Sequence, residues 1–81
     1  MRLHDILPPE AVSGASRIVL NGQEQLLIEG HKGLMRYDAG CVSLRMQDGS
    51  LHINGENLML GIFSQDELTV HGRILSLEFQ P

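Results

Sequence analysis

The chain has 81 residues with six Lys and Arg against ten Asp and Glu, which gives a formal net charge of −4. The scattered basic residues, the aromatic content of 4% and the absence of Trp disfavour nucleic-acid binding, which needs clustered positive charge and stacking side chains. A single cysteine and the lack of any apolar run near about 18 residues predict a reducing, cytoplasmic compartment without direct membrane insertion.

Residues 1–16 predict an irregular N-terminal arm. The Pro8-Pro9 pair blocks the continuation of a helix or strand, and the small residues at 14–16 break regular structure. After this arm the chain changes to short apolar runs that each end in a turn signal, which is typical of all-β domains. We therefore expect a single β domain at residues 17–81.

A strand unit of the form Leu-x-Ile/Val-x-Gly recurs at residues 26–30, 51–55 and 68–72, with a looser copy at residues 18–22. In each copy the apolar residues point to one face of a strand, the intervening residues point to the other, and glycine ends or bends the strand. The pattern predicts about eight short strands in a small antiparallel β-roll or sandwich. Because the unit repeats, a short β-solenoid remains the alternative architecture.

Turn signals separate the apolar runs. Asp48-Gly49 lies between alternating apolar residues and is a strong hairpin signal, because glycine accepts a positive φ. Met46 and Leu51 should therefore be near neighbours across a tight turn. Residues 38–40 and 64–66 predict two further turns.

The last strand departs from strict alternation. Four apolar residues there cannot all face one side of a regular strand: Ile74, Leu75, Leu77 and Phe79. A β-bulge after Gly72-Arg73 would restore the alternation. The alternative is that Ile74 or Leu75 points to the opposite face, which would then be apolar enough to contact a partner.

No motif in the sequence assembles a catalytic, metal or nucleotide site. The four His residues lack the spacing of metal ligands, and we expect them in turns or facing solvent. Cys41 begins an apolar run, where cysteine packs as a small hydrophobe, and no Ser lies in a nucleophile elbow. We therefore expect a protein that is not an enzyme and has no metal or cofactor.

The edges of the expected sheet are the feature with the clearest functional meaning. A small open sheet with a thin core can be completed by a strand from another chain, which favours a homodimer or a higher assembly. The alternative is a monomer whose edges are protected by bulges and by charged residues such as Lys32, Arg36 and Glu67.

Five segments, taken in this order, form a wider pattern: Arg17-Ile18-Val19-Leu20, Glu29 with His31-Lys32-Gly33, Tyr37, Gly49-x-Leu51-x-Ile53-x-Gly55-x-Asn57-Leu58-x-Leu60, and Gly72-Arg73-Ile74-x-Ser76-Leu77-x-Phe79. This pattern resembles the YabP/YqfC family of sporulation proteins, and residues 29–33 favour its YqfC branch. The resemblance spans residues 7–79. Two departures are Ser16, where the family pattern has proline, and Gly30, where it tends to have asparagine.

The resemblance implies a non-enzymatic protein of endospore-forming bacteria that acts as a protein-interaction module in the mother cell. Its partner would be a membrane-associated protein of the YqfD type. The alternative is a self-assembling structural subunit of the spore coat or envelope. The implied location is cytoplasmic, with peripheral attachment at the forespore or spore envelope.

The family brings no catalytic residues to this chain, so the candidate site residues are structural or contact residues. Gly33, Gly49, Gly55 and Gly72 are expected at turns or bulges. His31 and Lys32 are expected to form an exposed pair that contacts the partner.

Overall fold

A computed structural model describes residues 16–81 of the chain. The predicted arm therefore lies, apart from its last residue, outside the described residues. The described part consists of six β-strands: β1 (Arg17–Asn21), β2 (Gln25–Glu29), β3 (Gly33–Asp38), β4 (Cys41–Met46), β5 (Gly49–Phe63) and β6 (Glu67–Gln80). The all-β prediction is confirmed.

The expected number of about eight strands is wrong, because two of the predicted strand ends are bends. β5 has 15 residues and runs through Gly55, and β6 has 14 residues and runs through Gly72. Register shifts in the β5–β6 ladder accompany both glycines. An extra residue in one strand bends it and increases its twist without ending it, so two short strands become one long bent strand.

All six strands form one antiparallel sheet in the order β1-β2-β6-β5-β4-β3. The first half of β6 pairs with β2, whereas the first half of β5 pairs with β4. The two long strands pair with each other along most of their length. Because every neighbouring pair is antiparallel, the structure agrees with the predicted roll or sandwich and not with a parallel solenoid.

One face of the sheet forms the core. It holds ten buried apolar residues, namely Leu26, Ile28, Val42, Leu44, Leu51, Ile53, Leu58, Leu68, Val70 and Ile74. Within residues 16–81 there is no helix or second sheet to cover this face, so the sheet folds over on itself. The Leu60 N–H donates to Tyr37 Oη at 3.4 Å and so joins β5 to β3, which are not neighbours in the sheet.

The turn between β3 and β4 holds the bend in β5. The Gly55 N–H donates to the Gly40 carbonyl at 3.1 Å, and the Leu58 N–H donates to the Ala39 carbonyl at 2.9 Å. These bonds satisfy backbone donors at the place where the β5–β6 ladder is interrupted.

The loop between β1 and β2 holds the bend in β6 in the same way. The Ile74 N–H donates to the Gln23 carbonyl at 2.7 Å, and the Gly72 N–H donates to the Glu24 carbonyl at 3.1 Å. Each long strand is thus bent around the tip of one hairpin, which explains why its two halves can belong to opposite sides of the folded sheet.

The predicted hairpin between β4 and β5 is present, with Gln47 and Asp48 as the turn residues and Met46 paired with Gly49. In this register Leu51 lies directly opposite Leu44, not opposite Met46. Met46 and Leu51 are therefore diagonal neighbours across the hairpin and not a directly opposite pair.

The irregular last strand contains the predicted bulge. Ile74 and Ser76 pair with the consecutive residues Gly55 and Asn54, so Leu75 is the extra residue. Ile74 is buried in the core, whereas Leu75 is 55% exposed. The bulge and the exposed apolar side chain, which the sequence offers as alternatives, occur together.

Candidate interaction surface

The four glycines expected at turns or bulges lie at two kinds of position. Gly33 and Gly49 are the first residues of β3 and β5. Gly55 and Gly72 lie inside the two long strands, at the bends. Gly55 and Gly72 therefore lie where the two long strands bend.

Gly55 is a place inside β5 where the two long strands approach each other closely. A Cβ atom there would lie well inside van der Waals contact of the Arg73 carbonyl oxygen and 2.9 Å from Leu58 Cδ2. The first of these neighbours is backbone, so it cannot move aside as a flexible side chain would. Only a residue without a side chain fits this bend.

The expectation that His31 is exposed is wrong. His31 is only 3% exposed, whereas Lys32 is exposed as expected. The connection between β2 and β3 turns His31 inward because its backbone is anchored on both sides. The Gly30 N–H donates to the Asp66 carbonyl at 2.6 Å, and the Lys32 N–H donates to the Arg45 carbonyl at 2.7 Å.

Both ring nitrogens of His31 are hydrogen-bonded. The Gly33 N–H donates to Nδ1 at 3.1 Å, so Nδ1 carries no proton. The proton is on Nε2, which donates to the Ser64 carbonyl at 3.1 Å. The ring also packs against Phe63, with 5.9 Å between the ring centroids. His31 therefore supports an aromatic residue of the surface, and the contact role predicted for the pair remains a prediction for Lys32 alone.

Exposed apolar side chains concentrate on β3 and the second half of β5. Eight large apolar side chains are exposed among the described residues, and five of them lie on these two segments: Met35, Tyr37, Met59, Ile62 and Phe63. We call these five residues the apolar rim. A hydrogen bond from the Leu60 N–H to Tyr37 Oη joins the two segments.

A row of polar side chains lies on the outer face of β4 and β5. Ser43 Oγ and His52 Nδ1 are 2.7 Å apart, and His52 Nε2 is 3.1 Å from Ser50 Oγ. Cys41 Sγ lies 3.6 Å from Ser43 Oγ. The hairpin register places Ser43 opposite His52, so this pair follows from the Asp-Gly turn, although sequence analysis missed it.

This row ties two strands together but offers a substrate little access. Ser43 is only 3% exposed, so its hydroxyl is closed to solvent. The hydrogen-bond contact of the Cys41 thiol is with Ser43 and not with the imidazole of His52. A nucleophile activated by a neighbouring base would need both an open hydroxyl or thiol and that contact.

Asp38 caps the turn between β3 and β4. Its carboxylate accepts hydrogen bonds from the Gly40 and Cys41 N–H groups, each at 2.8 Å, and its other oxygen lies 2.8 Å from Arg36 Nη2. The Gly40 N–H and the Arg36 guanidinium lower the pKa of Asp38 from its ordinary value near 3.8.

We expect this lowered pKa to appear in the acid stability of the protein. The folded state favours the ionised Asp38, so its contribution is fully present above the unfolded pKa and is lost as the pH falls through the folded pKa. Asp38→Asn keeps the oxygen that accepts the two N–H bonds but has no charge to titrate. The stability advantage of the wild type over this variant should shrink as the pH falls below about 4. Urea unfolding at a series of pH values measures this difference, and a constant difference across the range would contradict it.

Residues 16–81 were also compared with the requirements of a metal site and of a membrane-spanning helix. No group of three or more His, Cys, Asp or Glu side chains there is arranged to hold a metal ion. In the same part of the chain, no helix has the length and apolar character needed to cross a membrane.

Residues 16–81 define a small antiparallel β protein whose exposed features are strand edges and an apolar rim. The model of the YabP family matches residues 13–81. The chain belongs to the YabP family, which confirms the resemblance seen in the sequence. It is also 28% identical over 68 residues to the uncharacterized protein YqfC of Bacillus subtilis (strain 168), a match that covers 84% of this chain and 73% of that protein. No solved structure matches the chain.

Proposed function

We propose that this protein is a non-enzymatic interaction module of the sporulating mother cell, where it binds a membrane-associated protein of the YqfD type. Membership of the YabP family supports the sporulation context. The observation that carries the proposal is the apolar rim, because it places five exposed large apolar side chains on two segments that a hydrogen bond joins.

The composition of the rim suits a protein partner. Tyr, Phe and Met are enriched in the cores of protein interfaces, where they supply large contact areas. The rim holds one Tyr, one Phe, two Met and one Ile, and it has no charged member. Exposed apolar area of this kind has a free-energy cost in a free monomer and is relieved when a partner covers it.

Each of the two aromatic residues of the rim has a contact that holds it in place. Tyr37 Oη accepts a hydrogen bond from the Leu60 N–H, and Phe63 packs on the buried His31 ring. Side chains that are fixed before binding lose less conformational entropy when the partner docks. Lys32, next to His31 in the sequence, adds an exposed positive charge.

In this proposal the partner supplies the attachment to the membrane, and this chain binds from the cytoplasmic side of the mother cell. Its location is thus peripheral at the forespore or spore envelope. No cofactor or nucleic acid takes part. The affinity comes from covering the rim, so a single charge placed there should weaken binding strongly.

Co-purification from sporulating cells tests the proposal. The full chain with a C-terminal tag is expected to recover a YqfD-type membrane protein, identified by mass spectrometry. Ile62→Lys, at a rim position that is 54% exposed, should reduce that recovery about tenfold. Leu20→Lys is the matched control, because Leu20 is 47% exposed but lies on β1, and it should leave recovery unchanged.

Circular dichroism of both variants shows whether each remains folded. Recovery of no YqfD-type protein would contradict the proposal, and so would an equal loss in the two variants. Large particles of the purified protein in electron micrographs, with no membrane partner recovered, would favour the self-assembling coat subunit instead.

A further inference from the structure

The second half of β6 has one side without a strand partner in the described chain. β6 pairs with β2 only through residues 67–71, whereas residues 76–80 pair with β5 alone. We call residues 76–80 the free flank of β6. This flank pairs with β5 without any register shift, from Ser76 opposite Asn54 to Gln80 opposite Ser50. Its outer side therefore presents a regular row of backbone donors and acceptors.

The other strands at the margins of the sheet carry features that oppose pairing with another chain. β3 has a register shift between Leu34 and Arg36 and carries the charged pair Arg36–Asp38. β1 is only five residues long and begins with Arg17. Bulges, short strands and charged residues are the usual protection of sheet edges.

The second half of β5 is protected in a different way. Its ladder with β6 is irregular between Leu60 and Phe63. The Leu60 N–H is already bonded to Tyr37 Oη. By contrast, the free flank of β6 contains no Lys, Arg or Pro and has Glu78 as its one charged residue.

The sequence of the free flank is complementary to itself. In an antiparallel pair, directly opposite residues point to the same face of the sheet, whereas neighbouring residues in one strand point to opposite faces. When the two strands are identical, the twofold axis must therefore pass midway between two copies of the same residue. An axis at Glu78 would place two Glu side chains opposite each other. An axis at Leu77 instead places Leu77 against Leu77 and Ser76 against Glu78.

We propose that two copies of this protein pair antiparallel through the free flanks of β6, with the twofold axis midway between the two Leu77 residues. The dimer joins the two sheets edge to edge into one continuous sheet. The hydroxyl of each Ser76 faces the carboxylate of Glu78 in the other copy, and Leu77 faces Leu77 on the opposite face. The free flank is separate from the apolar rim, so this dimer does not depend on the proposed function.

Variants at Ser76 test the strand register as well as the dimer. Ser76 and Glu78 are both exposed, so their replacement should leave the fold intact. Ser76→Glu faces Glu78 of the other copy with a like charge and should raise the dimer dissociation constant about fivefold. Ser76→Lys faces the same carboxylate with an opposite charge and should lower it by a similar factor. Both variants replace the Ser76 hydroxyl that accepts a hydrogen bond from Asn54 Nδ2.

Sedimentation velocity of the full-length protein, from about 1 to 500 µM at low salt, measures the dissociation constants. Asn21→Glu and Asn21→Lys make the same changes in net charge at an exposed position of β1. The expected result is a concentration-dependent dimer that responds to the sign of the charge at position 76 and not at position 21. Ser76→Glu combined with Glu78→Lys should restore pairing.

Three results would overturn the proposal. The first is a monomer at every concentration. The second is a dimer that responds equally at positions 76 and 21, which would place the contact elsewhere. The third is assembly that grows beyond two copies, since a closed twofold contact ends at the dimer.

Discussion

Replacement of Gly55 by alanine should lower the free energy of unfolding by about 3 kcal/mol. The added Cβ would enter the space of the Arg73 carbonyl oxygen, and the β5–β6 bend would have to open to admit it. Opening the bend also weakens the hydrogen bond from the Gly55 N–H to the Gly40 carbonyl. The predicted loss is large for a domain of this size, whose total stability is on the order of 5 to 10 kcal/mol. Urea unfolding followed by circular dichroism measures the loss.

Gly40→Ala is the matched control, because Gly40 is the partner of Gly55 in that hydrogen bond. A Cβ at Gly40 would meet Asp38 Oδ1 at 3.6 Å and the Gly55 carbonyl oxygen at 3.9 Å, which are ordinary contacts. Its effect should stay within about 0.5 kcal/mol. Equal losses in the two variants would show that close backbone approach is not the reason for glycine at position 55.

Replacement of His31 by alanine should lower the free energy of unfolding by about 2 to 4 kcal/mol. The change removes the acceptor of the Gly33 N–H and the donor to the Ser64 carbonyl, and it leaves a cavity beside Phe63. Buried backbone groups without a partner account for much of the expected cost. Urea unfolding again gives the magnitude.

Two variants separate the hydrogen bonds of His31 from its packing. The side-chain oxygen of His31→Asn can occupy the position of Nδ1 in the wild type and keep the hydrogen bond from the Gly33 N–H. This variant should therefore lower the free energy of unfolding by less than His31→Ala does. Lys32→Ala changes the exposed neighbour and should stay within about 0.5 kcal/mol. A loss at Lys32 as large as at His31 would contradict the buried role assigned to the histidine.

The sequence predicted those parts of the fold that depend on neighbouring residues. The repeated unit at residues 51–55 placed Leu51 and Ile53 on one face, which is the core face, and the Asp48-Gly49 signal located the β4–β5 hairpin. Once that register is known, the pair of Ser43 and His52 follows without further information. The irregular pattern after Gly72 likewise predicted a bulge in the last strand.

Features that depend on distant residues were not predictable in the same way. The Leu-x-Ile-x-Gly unit reads the same whether glycine ends a strand or bends it, and the outcome at Gly55 depends on the backbone of Arg73. His31 reads as a loop residue, yet it is buried through a contact with Ser64, which lies 33 positions away. The apolar rim depends on the contact of Tyr37 with Leu60, 23 positions away, and no local pattern encodes that contact.

The two long strands determine how the molecule unfolds. β5 and β6 each contribute to both sides of the folded sheet, so neither side can detach without breaking strands that the other side needs. We therefore expect a single cooperative transition on unfolding, with amide hydrogens on both sides exchanging through the same global opening. A protein built in this way has no stable half-open form, and its apolar interior stays hidden until the whole domain unfolds.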